Sequence, residues 1–204
     1  MILIGFIFLP MNYQETVNWL FNQLPMYQNQ GASAYKPNLD NTILLANYLN
    51  NPEKKIKGII PVDFAGRVPQ LDEFRALANE HQLWIIEDAC HSPGGFFVDK
   101  NQNHQTAGNG LFADCSVFSF HPVKHIATGE GGMITTNDET LYKRLLTLRT
   151  HGITRDTDSF ENSIEFAVGN STSGNTFPLW YMEMQELGYN YRLTDFQAAL
   201  GISQ

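Results

Sequence analysis

Hydrophobic positions along this chain follow two periods, and the changes between them mark its elements. Residues 1–9, MILIGFIFL, form a continuous apolar run that reads as a buried strand. A helical period follows over residues 12–24. Asn12 and Glu15 have capping-box spacing, Val17, Leu20, Phe21 and Leu24 share one face, and Pro25 ends the element. A loop leads to a second helix over residues 40–49, with Leu44, Leu45, Tyr48 and Leu49 as its stripe. Residues 56–62 are again nearly all apolar, as in a strand covered on both faces. Residues 70–81 return to the helical period with Leu71, Phe74, Leu77 and Ala78, and LWIIEDA, residues 83–89, is the next strand. Strand, helix and strand joined by short connections imply a right-handed parallel unit.

Residues 90–114 are rich in Gly and Asn and read as one long loop, the kind that is usually functional. Two short strands come next, at 116–120 and 132–136. Asp138 caps a helix running to about residue 150, with Leu141, Leu145 and Leu148 inward and Gly152 as its stop. Residues 156–180 read as an irregular excursion, and Thr194 opens a last helix. The fold class is α/β, with helices flanking a mostly parallel sheet.

Composition narrows the function. A chain of 204 residues, 43% hydrophobic and 17% charged, has room for one large or two small domains and a soluble core. A formal net charge of -8 opposes a nucleic acid or an anionic membrane as partner, though not a local anion site. Cys90 and Cys115 do not make a disulfide framework, which points to a reducing cytoplasm. The apolar run at 1–9 lacks preceding basic residues and is too short to cross a bilayer. The NST at Asn170 matches a glycosylation acceptor, which has no meaning in that compartment.

Candidate chemistry gathers around CSVFSFHPVKHIATGEGGMITT, residues 115–136. A lysine in a polar loop is ordinarily a solvated charge. Lys124 sits instead between two strands, among small residues that let another group approach, as a covalent lysine requires. Asp88 ends its strand, where parallel sheets bind ligands, and a carboxylate after four apolar residues needs a partner. Taken alone it is as readily a surface carboxylate. His91 is as readily an ordinary loop histidine, and the hydroxyl of Ser119, at another strand end, can hold a phosphate. TGEGG lacks the GK[ST] ending of a P-loop and no helix follows it directly, so its glycines read as turn formers beside Lys124. No zinc spacing and no GxSxG elbow is present.

Four stretches in combination, EDACHSPGG, SVFSFHPVKHIATGEGGMITTN, LRTHGITRD and MQELGYNYRLTDFQAALG, resemble the DegT/DnrJ family of sugar aminotransferases, pyridoxal phosphate (PLP) enzymes of fold type I. LRTHGITRD and ELGYNYRLTD resemble the branch that aminates UDP-4-keto-6-deoxy-N-acetylhexosamines for pseudaminic acid-type sugars. The resemblance implies a homodimer that uses a UDP-sugar and an amino-acid donor, glutamate by expectation. It assigns Lys124 to the covalent bond with PLP and to proton transfer, Asp88 to the pyridine nitrogen, His91 to the cofactor ring, and Ser119 to the phosphate. Asn190 matches an asparagine that reaches the phosphate in the neighbouring subunit. Arg155 and Arg192 lie in family-like motifs next to loops and are candidates to meet a sugar-nucleotide diphosphate, since Arg binds phosphate through two donors. Lys143 and Arg144, by contrast, read as a solvated helix face. Against the family pattern, residues 1–34 are atypical, residues 35–204 form a partial large domain incomplete at both ends, and the small C-terminal domain is absent. Residues 163–178 read as an insertion. Two other readings stay open: a fragment or PLP-binding interaction module without turnover, and a 3-ketosugar aminotransferase.

Overall fold

The computed structural model describes residues 57–169 and 175–204. The strand expected at 1–9 and the helices expected at 12–24 and 40–49 lie outside them. A four-stranded sheet forms the centre. β1 (Gly58–Ile59) pairs in parallel with β2 (Trp84–Asp88), and β2 pairs in parallel with β5 (Cys115–Ser119). β6 (Gly132–Thr135) then runs antiparallel to β5. β1 is shorter than the expected 56–62 because Pro61 has no N–H with which to extend the ladder. Pairing resumes as a single parallel bridge between Val62 and Asp88.

Between β1 and β2 lies α1 (Leu71–His81), which buries Leu71, Phe74 and Ala78 as its periodicity predicts. They join Ile59, Val68, Leu83, Ile85, Phe97 and Ala113 in one core. α1 ends at Gln82, which adopts the left-handed conformation (φ 54°) and closes the last turn onto Ala78. A second core sets Cys115 and Ile134 against Leu145 of α2 (Glu139–Arg149). Asp138 caps α2 as expected, its carboxylate accepting the N–H groups of Thr140 and Leu141 at 2.8 and 3.0 Å. Lys143 and Arg144 are exposed but paired, to Glu139 at 2.7 Å and Glu186 at 3.0 Å.

Two expectations need correction. Residues 90–114 are not one loop: β3 (Phe96–Val98) and β4 (His104–Thr106) form an antiparallel hairpin inside them. Its turn is organised by Asp99, whose carboxylate accepts the backbone N–H groups of Asn101 and Asn103 and the Gln105 amide. Those donors, the Asn103 N–H foremost, hold the Asp99 carboxyl below its ordinary value. The excursion at 156–180 is also more ordered than expected among its described residues, with a 3₁₀ turn (Thr157–Ser159) and the short helix α3 (Ile164–Val168). Phe160 packs edge-on against Phe177 and Tyr181, at ring distances of 4.7 and 5.1 Å. The buried Glu183 accepts the Tyr181 hydroxyl and the N–H groups of Glu161 and Asn162.

β7 (Ile153–Thr154) and β8 (Glu183–Met184) form a small antiparallel pair below α2. Gly152 permits this packing: its φ is +69°, and a Cβ there would stand 1.7 Å from the Glu186 carbonyl oxygen. The last element, α4 (Asp195–Ile202), carries the full capping box of Thr194 and Gln197. Because the Asp138 carboxylate satisfies two backbone donors, Asp138→Ala should destabilise the chain by about 1 kcal/mol. Urea unfolding followed by circular dichroism would read this as a lower midpoint with an unchanged slope.

Candidate active site

The site forms where β2 and β5 end side by side. Asp88 lies opposite Val117 in the parallel register, and the Ala89 N–H donates to the Val117 carbonyl at 2.9 Å. The pairing fixes the first residues after β2 beside the last residues of β5. Asp88 is half-buried, and its carboxylate accepts the Cys90 N–H at 3.2 Å, which holds the turn that follows. On the other strand, buried Ser119 accepts the His121 N–H through its hydroxyl oxygen at 3.3 Å. That bond leaves the hydroxyl proton to be donated elsewhere.

The lysine turn begins there. The Lys124 N–H donates to the His121 carbonyl at 2.9 Å, and Lys124 is half-buried. Gly129 supplies the open space expected beside it: its φ is +80°, and a Cβ would meet nothing within 4 Å. Glutamines of the C-terminal segment clasp the turn from outside. Gln197 donates to the Glu130 carbonyl at 2.8 Å, and Gln204 accepts the Ala127 N–H at 3.1 Å.

Cys90 ties the two strand ends together: its N–H donates to the Asp88 carboxylate and its thiol to the Val117 carbonyl at 3.6 Å. Burial above all pushes the Cys90 thiol up, to about 12, with Asp88 adding to the rise and Lys124 opposing it. His91, next along, is exposed; its Nδ1 accepts the Ala65 N–H at 3.4 Å, and its ring stands 6.0 Å from that of Phe64.

Three other expected site residues lie on segments that follow α2. Asn190 is exposed, bridges to Thr150 at the end of α2, and accepts the Arg192 N–H at 3.4 Å. Arg155 follows β7 and is exposed, as is Arg192. Sequence reasoning missed one part of the site altogether. Asp63 and Glu87 are buried carboxyls, 0% and 1% exposed, immediately behind Asp88. The available signal was Glu87 itself: in a pleated strand ending WIIED, the two acids must point to opposite faces.

The donor set fits PLP. Lys124 offers an amine for its aldehyde, Asp88 a carboxylate for its ring nitrogen, and Ser119 a hydroxyl proton for its phosphate. The profile of the DegT/DnrJ/EryC1/StrS aminotransferase family matches residues 47–204. The chain belongs to that family. Its aminotransferases are PLP-dependent, and one structural neighbour from Streptococcus pneumoniae has been solved in a PLP form. That chain is 26% identical, with a TM-score of 0.53 and coverage of 72% of this chain and 35% of the other. The UDP-4-amino-4,6-dideoxy-N-acetyl-beta-L-altrosamine transaminase of Campylobacter jejuni is 36% identical over 167 residues, 82% of this chain and 37% of that protein. Helicobacter pylori PseC, described as an aminotransferase in pseudoaminic acid biosynthesis, superposes with a TM-score of 0.56 at 31% identity. The match covers 76% of this chain and 36% of PseC. The chain thus spans less than half the length of these relatives. These fold-type neighbours agree with an α/β, mostly parallel sheet flanked by helices. Among the described residues no helix is long and apolar enough to cross a membrane.

The thiols provide a test of the local electrostatics. Burial favours the neutral form of both, with Cys115 raised to about 11. Iodoacetamide at pH 8 should therefore leave Cys90 and Cys115 largely unmodified in the folded chain and label both in urea, as counted by intact mass.

Proposed function

We propose that this chain is the cofactor-binding portion of a PLP-dependent aminotransferase acting on a nucleotide-linked ketosugar. On this reading residues 35–204 belong to the large domain and 1–34 stand apart from it. The observation that carries the proposal is the parallel register that sets Asp88 beside the end of the strand leading through Ser119 into the Lys124 turn.

When bound, PLP supplies an electron sink for the carbanion at the amino-bearing carbon. Asp88 would keep the ring nitrogen protonated, and the Ser119 hydroxyl would donate to the phosphate. His91 would bound the ring from the turn after β2. The Lys124 amine would carry a proton from the amino-bearing carbon of the donor to C4′ of the cofactor, a role worth roughly 10²–10⁴-fold in rate. Arg155 and Arg192, both exposed, would meet the diphosphate of the sugar nucleotide. Asn190, exposed at a bridge to the end of α2, would serve the site of a second subunit in a homodimer.

Similarity to the Campylobacter jejuni transaminase favours a UDP-4-keto-6-deoxy-N-acetylhexosamine as acceptor, glutamate as donor, and a cytoplasmic sugar pathway of the pseudaminic acid type. A 3-ketosugar acceptor is the alternative within the family; PLP binding without turnover is the alternative outside it. Assaying both ketosugar nucleotides with glutamate separates these readings.

The primary test is direct. The purified chain is mixed with PLP, reduced with borohydride and digested. A pyridoxyl mass should appear on the Lys124 peptide, and Lys124→Ala should show none; equal labelling of the two proteins would sink the proposal. Asp88→Asn should still take the label but lose transamination by on the order of 10²-fold or more, since a neutral amide cannot hold the nitrogen protonated. Retained turnover in that variant would remove Asp88 from this role.

A further inference from the structure

Behind the candidate site, two acids that the proposed chemistry does not use are both fully buried. Asp63 follows β1, and Glu87 precedes Asp88 on β2. Each carboxyl has one oxygen committed to hydroxyl or backbone donors. The Ser92 hydroxyl donates to Asp63 Oδ2, and the Ser116 hydroxyl and Gly108 N–H donate to Glu87 Oε2. All four side chains are at most 2% exposed. The remaining oxygens, Asp63 Oδ1 and Glu87 Oε1, are buried without a hydrogen-bond donor, and each acid bears on the other's ionisation. Two ionised carboxylates would leave both oxygens unmet, because neither has a proton to give. One carboxylic acid beside one carboxylate would supply the missing donor.

The pair is tied to the site on both sides. The Asp63 N–H donates to the Asp88 carbonyl at 3.0 Å, and the Asp88 N–H donates to the Pro61 carbonyl at 2.9 Å. Ser92, held by Asp63, is the neighbour of His91. Residues 64–66, following Asp63, carry the Ala65 N–H that meets His91 Nδ1. Ala65 is held at φ 56°, an uncommon conformation for a residue with a Cβ, so the segment depends on its anchors.

We propose that Asp63 and Glu87 share a single proton and that this pair is the positioning unit that sets Asp88 and His91 for the cofactor. Its action on the cofactor rests on the function proposed above; the shared proton does not. The titratable groups that meet Asp63 are Glu87 and Asp88 from β2 and Cys90 from the turn after it, with His91 reached through Ala65. Burial first, and then the charges of Glu87 and Asp88, raise Asp63 to about 8, so the pair keeps its proton at neutral pH. The sign for stability follows. The folded chain holds a proton that the unfolded chain has lost above about 3.9. Stability from this group is therefore whole below that value and is lost as pH rises toward about 8.

The test uses the cofactor-free chain first. Thermal midpoints of wild type, Asp63→Asn, Glu87→Gln and the double variant are measured from pH 5 to 9. Asp63→Asn places a permanent donor where the shared proton stood, so its midpoint should fall less with rising pH than that of wild type. Either single amide preserves the central bond, whereas the double variant opposes two NH₂ groups and should lose more stability than the singles combined. Parallel pH profiles for wild type and Asp63→Asn, or additive losses, would overturn the shared proton.

Positioning is read separately. The His91 ring signals, followed by NMR in the cofactor-free chain, should show an inflection near the Asp63 titration that Asp63→Asn lacks. PLP affinity, from a spectral titration, should fall by on the order of tenfold in Asp63→Ala and recover in Asp63→Asn. Equal affinities in all three, or a His91 profile indifferent to Asp63, would overturn the positioning role. If Asp63→Ala does not fold, the His91 measurement with Asp63→Asn decides the positioning role alone: its amide does not titrate, so the inflection must vanish. If no form of the chain binds PLP, the proposed function fails while the stability and His91 measurements still decide the pair.

Discussion

The Ala89 N–H reaches the Val117 carbonyl, and Asp88 stands opposite Val117. This stretch of parallel ladder decides what the rest of the chain can place together. A shift of one residue would turn Asp88 to the other face and bring Glu87 to the site in its stead. The register is held by what lies behind it, because Glu87 opposite Ser116 finds a hydroxyl and the Gly108 N–H only in this alignment. Buried polar groups with one satisfactory arrangement specify register more sharply than apolar packing, which tolerates substitution and small shifts. The pair of acids on β2 thus divides the labour, with one facing the candidate site and the other securing the strand.

Much of this architecture was legible in the sequence, and its failures have physical causes. α1 and α2 announced themselves through long apolar stripes and, for α2, an aspartate cap. Strand ends at Asp88 and Ser119 could be placed because apolar runs stop there. The β3–β4 hairpin was not readable: each strand is three residues long, too short for alternation to emerge, and His104, Gln105 and Thr106 are all polar. What makes the hairpin is Asp99, whose carboxylate accepts the N–H groups two and four residues on, a local turn that does not by itself mark the strands on either side. The Asp63–Glu87 contact was invisible for a different reason. Its serines, Ser92 and Ser116, lie 29 residues from their acids, and no local pattern encodes such a meeting.

Within the candidate site, sequence and structure supply different things. The resemblance named Lys124, Asp88, His91 and Ser119, and the structure places all four around the ends of β2 and β5. It puts Asn190 at a bridge to the end of α2 and Arg155 after β7, while Leu193, next to Arg192, packs against Gly131 of the lysine turn. The strand ends thus gather four of the candidate residues, and the other three come from segments that follow α2.

The antiparallel return of β6 along β5 has one more consequence, for the order in which this region assembles. Ser119 lies opposite Gly132, so the segment bearing Lys124 is closed by contacts between near neighbours in the chain. Closing a short loop restricts little chain entropy, whereas the β1–β2 and β2–β5 pairings must wait for longer intervening segments to come round. The lysine turn is thus a kinetically local structure within a topology otherwise built on crossovers. Its shape is inherited mainly from the hairpin that carries it, and the distant glutamines of the C-terminal segment latch onto an outline already drawn.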